Sequence, residues 1–222
     1  MKFLKTSMIL SAVSLALTLA TIGGAAYLVV SWRSLIGIRQ IALTSMRDPA
    51  TRMEVNATVR RLIEQGRVDE VYSFYSAYTR GDRMRAFLWV SYSVANGIPV
   101  NLLGGIAHWE SGFGLKLEDR NADGSPRFNN NGTRDFGDLR LNSATFASYT
   151  PEQLKNPELN YPLGIKLLYD FRARAQTWEG AVVAYNCGHL TNLGEDNLKY
   201  LVAVLDFEKQ LDRAFSLRFP EL

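Results

Sequence analysis

The side chain best placed to transfer a proton is the carboxylate of Glu110. Between residues 100 and 111, the apolar positions Leu103, Ile106 and Ala107 recur at helical spacing, and Glu110 is the next member of the same face. A carboxyl group on an apolar helix face holds its proton to higher pH, because burial disfavours the charged form. Glu110 is therefore a candidate general acid. The alternative is that it lies at a helix end and points to water.

Metal and thiol chemistry have little support in the sequence. Cys187 is the single cysteine, which excludes an intrachain disulfide and argues against a cysteine-based metal cluster. His108 and His189 have no cluster of carboxylates or thiols beside them, so we expect solvated or core histidines. Residues 119–124 copy the first half of a calcium loop, but Asn130 stands where the twelfth-position Glu is needed. We predict a hydrated loop on the substrate side, with no metal and no cofactor.

Helix signals accompany almost every segment that could position Glu110. The chain has no convincing run of alternating strand pattern, so we predict an all-α fold. Residues 112–142 form a long loop rich in Asn, Asp and Gly, which is unusual in a compact domain unless it builds a site. Gly97 is expected to close a helix in the left-handed conformation. The predicted helices are 48–66, 67–78, 82–96, 100–111, 143–149, 161–174, 178–186 and 195–215.

The first 30 residues differ from the rest of the chain. Residues 8–30 carry no charge and are long enough, as a helix, to cross the hydrocarbon core of a membrane. They follow a short basic start that contains Lys2 and Lys5. We predict an uncleaved signal anchor, because signal-peptide cores are shorter, at about 7–15 residues. A cleaved signal peptide is the alternative, since residues 23–26 are small enough for a cleavage site.

The net charge of the chain bears on its possible ligands, and its length bears on its division into regions. The formal net charge of +3 includes both lysines of the basic start, so the folded part is nearly neutral and offers no footprint for nucleic acid. We predict three regions, which are a signal anchor or transmembrane helix at 1–30, a helical arm or support at 31–81, and a catalytic domain at 82–222.

Three motifs resemble one known family. Residues 84–113, MRAFLWVSYSVANGIPVNLLGGIAHWESGF, look like the opening of the lytic transglycosylase domain, which is related to goose-type lysozyme and leads through two helices into a catalytic Glu-Ser pair. Residues 184–188, AYNCG, are similar to the family's Ala-Tyr-Asn-Ala-Gly motif, and Tyr200 with Leu201 is similar to its Tyr-Val position. The order and spacing agree, and the resemblance covers residues 82–215.

Arg140 departs from the family pattern. The family reads Gly-Leu-Met-Gln where this chain reads Gly137, Asp138, Leu139 and Arg140, so an arginine stands in the glutamine position. A guanidinium only donates hydrogen bonds and cannot copy both halves of an amide. It could hold an anionic part of the glycan, such as a lactyl or peptide carboxylate. The other interpretation is a site that binds glycan without cleaving it.

The resemblance implies a lysozyme-like helical transglycosylase domain that cleaves the β-1,4 bond between N-acetylmuramic acid and N-acetylglucosamine, with 1,6-anhydromuramic acid as product. Glu110 would act as the single acid and base, with help from the substrate's acetamido group. Taken without the resemblance, Tyr185 and Tyr200 could be core residues and Asn186 could simply end a helix. Trp109 is expected to pack rather than to stack on sugar. The implied substrate-binding residues are Ser111, Gly137, Arg140, Tyr185, Asn186 and Tyr200.

Other functions stay open at this point. The protein could be a catalytically silent glycan-binding or scaffold protein of the cell envelope, or a lysozyme-like hydrolase with Asp119, Asp135 or Asp138 as its second carboxylate. The expected partners are peptidoglycan glycan strands and, through residues 8–30, the membrane. An envelope-assembly partner is also compatible, but the sequence does not identify it. Because the implied substrate lies outside the cytoplasm, we predict a single-pass protein of the bacterial inner membrane whose catalytic domain faces the periplasm or cell wall.

Overall fold

Helices dominate the part of the chain that this computed structural model describes, which is residues 49–188 and 194–220. The prediction of a mainly helical fold is confirmed for these residues, which also contain one short two-stranded ribbon. The helices are α1 (Pro49–Glu64), α2 (Val68–Ser76), α3 (Arg83–Asn96), α4 (Val100–Ser111), α5 (Pro151–Lys155), α6 (Pro157–Ala175), α7 (Trp178–Cys187) and α8 (Glu195–Arg218). The strands are β1 (Asp135–Phe136) and β2 (Leu141–Asn142).

Local signals fix the two helices that lead to Glu110. The carboxylate of Asp82 accepts a hydrogen bond from the backbone N–H of Arg85 and so caps the first turn of α3. Gly97 ends that helix with a φ of 65°, as predicted. Gly112 ends α4 with a φ of 62°, directly after the Glu110–Ser111 pair. The predicted helices 82–96 and 100–111 are confirmed, since α3 and α4 have nearly the same bounds.

Helix α4 is held tightly from two sides. A Cβ atom on Gly104 would lie 2.0 Å from the buried ring of Trp89, and one on Gly105 would lie 2.5 Å from the carbonyl oxygen of Val204 in α8. Neither neighbour can move away easily, since one is the indole ring of a core residue and the other is helix backbone. The two glycines therefore let α3 and α8 approach α4 closely, which fixes the position of Glu110 at its end.

The chain between Asn142 and the last long helices differs from prediction. The predicted helix at 143–149 is wrong, because these residues form consecutive turns. The side chain of Asn142 accepts a hydrogen bond from the backbone of Ala144, a local bond that competes with helix formation. The short helix α5 was not predicted, although Thr150 and Gln153 form a capping box at its start. Helix α6 begins at Pro157, four residues earlier than predicted.

The strand ribbon is organised around one buried amide. β1 and β2 pair antiparallel, and the residues between them turn beneath the side chain of Asn160 in α6. Asn160 accepts a hydrogen bond of 2.7 Å from the backbone of Leu139 and donates to the carbonyl oxygens of Phe136 and Leu154, at 3.0 and 2.7 Å. A Cβ atom on Gly137, whose φ is 83°, would lie 2.0 Å from the Asn160 amide nitrogen. The ribbon was not predicted because its strands have two residues each.

Helix α1 is joined to the later helices by a buried ion pair. The guanidinium of Arg52, which is 5% exposed, donates to both carboxylate oxygens of Glu208 in α8, at 2.7 and 2.8 Å. Its third nitrogen donates to Glu179 in α7 at 2.7 Å. A buried guanidinium needs such partners, because an unpaired charge is costly in the interior.

Within residues 49–188 and 194–220, no helix has both the length and the apolar character needed to cross a bilayer. The predicted anchor at 8–30 lies outside the described residues, so it stays a prediction.

Candidate active site

The carboxylate of Glu110 meets the hydroxyl of Tyr200. Glu110 is the second-last residue of α4, and Tyr200 lies in the second turn of α8. Tyr200 is 2% exposed and donates a hydrogen bond of 2.6 Å to Oε1 of Glu110. The close contact between α4 and α8 therefore brings together two of the residues that the sequence singled out.

Burial changes the acidity of Glu110. Desolvation raises the pKa of this carboxyl group from 4.5 to about 7, with a smaller contribution from the nearby carboxylates of Asp135 and Asp119. The hydrogen bond from Tyr200 and the positive charge of Arg140 act in the opposite direction, because both favour the ionised form. At neutral pH the group can hold a proton and can also release it, which suits an acid that later acts as a base.

An open cleft of about 780 Å³ lies against Glu110. Its size is within the range of small-ligand sites, and its lining is mainly polar. The Asn-rich part of the 112–142 loop and the end of α7 form much of this lining, while Leu167 and Phe171 of α6 add apolar surface. The polar lining residues besides Glu110 are Asn129, Asn130, Asn131, Asp135, Arg140, Asn142, Thr145, Tyr185 and Asn186.

Arg140 lines this cleft, but protein acceptors occupy its guanidinium. Nε donates to the backbone oxygen of Glu110 at 2.9 Å, and one terminal nitrogen donates to the carboxylate of Asp119 at 2.5 Å. The other terminal nitrogen makes a long contact of 3.5 Å with the backbone oxygen of Asp135. Arg140 also has a φ of 50°, a left-handed conformation that is uncommon for a residue with a Cβ atom. The side chain thus ties the loop to the end of the helix that carries Glu110.

Tyr185 and Asn186 bring the end of α7 to the same cleft. The Tyr185 hydroxyl donates to the backbone oxygen of Leu139 at 2.6 Å, next to Arg140 in the chain. Burial raises the pKa of this hydroxyl, and so do the carboxylates of Glu110 and Asp135. Asn186 is exposed and donates to the side chain of Asn197 at 2.9 Å. Both residues therefore reach the cleft while also bonding to neighbouring elements.

Ser111 and Gly137, which were also predicted to bind substrate, lie beneath the cleft surface and are not among its lining residues. Ser111 is 2% exposed, and its hydroxyl accepts a hydrogen bond of 2.8 Å from the backbone of Gly114. Gly137 lies against Asn160, as described above. Both residues shape the backbone next to Glu110 and Arg140, and their contact with substrate stays a prediction.

The three candidate second carboxylates occupy different environments. Asp135 lines the cleft and accepts hydrogen bonds from the side chains of Asn129 and Asn142, at 2.9 and 2.8 Å. Asp119 is paired with Arg140. Asp138 is fully buried against Arg85 at 2.7 Å, and burial raises the pKa of its carboxyl group. Of the three, Asp135 is the one that shares the cleft with Glu110.

Several cleft residues were not predicted from the sequence. Asn129, Asn131 and Asn142 line the cleft, yet the sequence marked them only as members of a polar loop. That Asn-rich composition was the available signal. No feature of the sequence indicated Phe171 as a cleft residue, because its helix face has the pattern of a core-facing one. Trp109 is 53% exposed and touches the ring of Tyr200 edge-on, with centroids 6.2 Å apart, so it packs on one side only.

The part of the chain that carries these residues is similar to known proteins. The family model described as Transglycosylase SLT domain matches residues 87–200. Two proteins named Protein IpgF, from Shigella flexneri and Shigella sonnei, are each 32% identical to this chain over 123 residues, which is 52% of this chain and 75% of theirs. No solved structure gives a significant match.

Proposed function

Since this chain belongs to the family of lytic transglycosylases with a transglycosylase SLT domain, we propose that it cleaves peptidoglycan with Glu110 as its single catalytic acid and base. The observation that carries the proposal is the environment of that carboxyl group. It lies in a cleft, accepts a hydrogen bond from Tyr200, and has a pKa raised to about 7 by burial.

The proposed reaction cleaves the β-1,4 bond between N-acetylmuramic acid and N-acetylglucosamine. Protonated Glu110 donates its proton to the glycosidic oxygen as the bond from the anomeric carbon breaks. The substrate's acetamido oxygen stabilises the positive charge on that carbon, as in other substrate-assisted glycosidases. The C6 hydroxyl of the same sugar then attacks the anomeric carbon and gives its proton to the Glu110 carboxylate. The products are 1,6-anhydromuramic acid and a new N-acetylglucosamine end, and the acid is restored.

The two oxygens of Glu110 have different surroundings. Oε1 accepts the bond from Tyr200, while Oε2 has no hydrogen-bond partner among residues 49–188 and 194–220. We assign proton transfer to Oε2. Tyr200 then orients the carboxyl group and stabilises its ionised form between the two steps, which matches the fall in pKa that this bond causes. Tyr185, Asn186 and the Asn-rich loop would contact the sugars by hydrogen bonding.

We also propose where in the cell this protein is located. The charge-free run at 8–30 supports a single-pass anchor in the bacterial inner membrane, with the catalytic domain in the periplasm or at the cell wall. Glycan strands would be the substrate, and a partner in an envelope assembly would direct the enzyme to its place of action. Cell fractionation and protease protection of the full chain would test this placement. Release of the domain by cleavage near residues 23–26 would contradict the anchor.

A lysozyme-like hydrolase is the second candidate, because Asp135 lines the same cleft as Glu110. In that reaction, the second carboxylate would activate water or form a glycosyl intermediate, and the product would carry a reducing end. The amides of Asn129 and Asn142 donate hydrogen bonds to the carboxylate of Asp135 and hold it in place in the cleft.

One experiment separates these possibilities. The full-length chain is incubated with purified peptidoglycan, and the soluble products are identified by mass spectrometry. Anhydromuropeptides support the transglycosylase, whereas reducing-end muramic acid indicates the hydrolase. Co-sedimentation with the wall without any release of product indicates a silent glycan-binding protein. The Glu110→Gln variant serves as the control for contaminating activity.

A further inference from the structure

A second groove, of about 670 Å³, begins directly after the helix that carries Glu110. The chain from Gly114 to Arg120 forms one part of it, and the side chains of Arg127 and Lys155 complete it. We call this feature the basic groove, because four of its lining residues are cations and two are carboxylates. The cations are Lys116, Arg120, Arg127 and Lys155, and the carboxylates are Glu118 and Asp119.

The two carboxylates of the basic groove are already engaged. Glu118 is shared by three cations, with Lys155 at 3.0 Å, Arg134 at 2.7 Å and Arg120 as the third. Lys155 and Arg120 hold the pKa of Glu118 below its usual value, Lys155 having the largest effect. Asp119 is paired with Arg140. Cations therefore neutralise the two carboxylates inside the groove, and the groove keeps an excess of positive charge.

Two cations account for much of that excess. Lys116 and Arg127 are both exposed, and neither has an acidic partner among the residues that the structure describes. Between such cations an anionic ligand can bind without first displacing a protein carboxylate. Leu115, which is 51% exposed, lines the same groove and adds an apolar contact.

The basic groove adjoins the cleft at the ion pair between Asp119 and Arg140. Asp119 lines the groove, and its carboxylate bonds to Arg140, which lines the cleft. A ligand that is anchored in the cleft can therefore extend past this pair into the groove. A group that is covalently joined to the occupant of the cleft, carries negative charge and includes small apolar groups would fit the groove.

We propose that the basic groove binds the anionic peptide stem of the same peptidoglycan strand whose sugars occupy the cleft. This inference rests on the proposed function. Peptide stems are attached to the lactyl group of muramic acid, and they combine free carboxylates with the methyl groups of alanine. The carboxylates complement Lys116 and Arg127, and the methyl groups complement Leu115. Exposed ion pairs are individually weak, so recognition requires both cations together.

The test compares two substrates and two double variants of the full-length chain. One substrate is peptidoglycan with intact stems, and the other is the same glycan after an amidase has removed them. The test variant is K116Q/R127Q, and the matched control is K166Q/R213Q, which removes two exposed cations outside the groove and the cleft. We expect the test variant to lose about three- to tenfold in kcat/KM on stem-bearing glycan, as two weak ion pairs allow. It should stay within about twofold of the parent chain on stripped glycan, and the control variant should do so on both substrates.

Equal losses on the two substrates, or no loss on either, would overturn the inference. A binding measurement keeps it testable if the parent chain cleaves neither substrate. Calorimetry with the Glu110→Gln chain compares a muramyl disaccharide that carries its stem with the bare disaccharide. The stem should tighten binding, and K116Q/R127Q should remove that gain. Lack of cleavage by the parent chain would refute the proposed function, whereas a stem that adds no affinity would refute the role of the groove.

Discussion

The hydroxyl of Tyr200 and the carboxylate of Glu110 form a hydrogen bond of 2.6 Å across 90 positions of sequence. The bond joins the end of one helix to the second turn of another, and it lies at the edge of a polar cleft. Since it favours the ionised carboxylate while burial favours the protonated one, the balance of these two effects contributes most to the pKa of Glu110.

Replacing Glu110 with Gln should abolish cleavage and leave the fold intact. An amide has nearly the same shape and can accept the bond from Tyr200 through its oxygen, but it has no proton to donate. General acid catalysis contributes about 10²- to 10⁴-fold, so the release of anhydromuropeptides should fall by at least that factor. Wild-type cleavage by a well-folded Gln variant, with folding checked by circular dichroism, would assign the acid to another residue.

The Tyr200→Phe variant should shift the pH profile toward higher pH. The lost hydrogen bond lowers the pKa of Glu110, so its removal raises that pKa. Activity that requires the protonated acid falls in the parent chain as pH rises through about 7, and it should fall at higher pH in the variant. The maximal rate should drop by about three- to tenfold, equivalent to roughly 1 kcal/mol. An unchanged alkaline limb in kcat/KM, measured from pH 5 to 9, would contradict this role of Tyr200.

The stability of the parent chain should decrease with pH relative to that of Glu110→Gln. The folded-state pKa of about 7 lies above the ordinary 4.5, so the folded state binds the proton more tightly than the unfolded state does. This contribution is complete below pH 4.5 and is lost as pH rises through 7. The free energy of unfolding of the variant, minus that of the parent, should increase by about 2–3 kcal/mol between pH 5 and pH 8. Denaturant titrations at several pH values measure it, and a constant difference would show that Glu110 is well hydrated.

Arg140 can be tested with two substitutions that separate its charge from its hydrogen bonds. Both Arg140→Gln and Arg140→Lys should weaken the tie between the loop and the Glu110 backbone, at a cost of about 1 kcal/mol in unfolding free energy. Only Arg140→Gln removes the positive charge that lowers the pKa of Glu110, so only this variant should move the alkaline limb to higher pH. Equal pH profiles for the two variants would exclude an electrostatic effect of Arg140 on the acid.

Gly137→Ala should be strongly destabilising. The added methyl group would collide with the Asn160 amide and the Leu154 backbone, in a left-handed conformation that alanine also disfavours. We expect a loss of about 2–4 kcal/mol in unfolding free energy. Gly132→Ala is the matched control, because Gly132 has a similar φ of 77° with no atom within 4 Å of the added carbon, and it should lose only about 1 kcal/mol. Similar losses at both positions would show that backbone strain, and not the Asn160 contact, explains the requirement.

The sequence predicted the elements that local signals determine. Asp82 and Gly97 mark the ends of one helix, and the apolar spacing before Glu110 identified the next one and its acid. The turns at 143–149 were misread because Asn142 bonds to the following backbone, which periodicity cannot reveal. The motifs also identified Tyr185, which lines the cleft, and Tyr200, which is buried behind the lining and bonds to Glu110.

What the sequence could not predict depends on contacts between distant residues. Arg140 is predicted to contact substrate, but no feature of the sequence indicates its bonds to Glu110 and Asp119, which lie 30 and 21 positions away. Asn160 organises the ribbon through three bonds to backbone groups that have no common sequence pattern. No periodicity encodes such pairings, because they arise only after the helices have packed.

The ion pairs of Arg52 also provide a route by which a force on α1 would reach the residues around Glu110. This guanidinium links α1 to both α7 and α8, and these two helices carry Tyr185 and Tyr200. A pull applied to α1 would therefore act on both helices at once, and so on Tyr185 in the cleft and on Tyr200 beside Glu110.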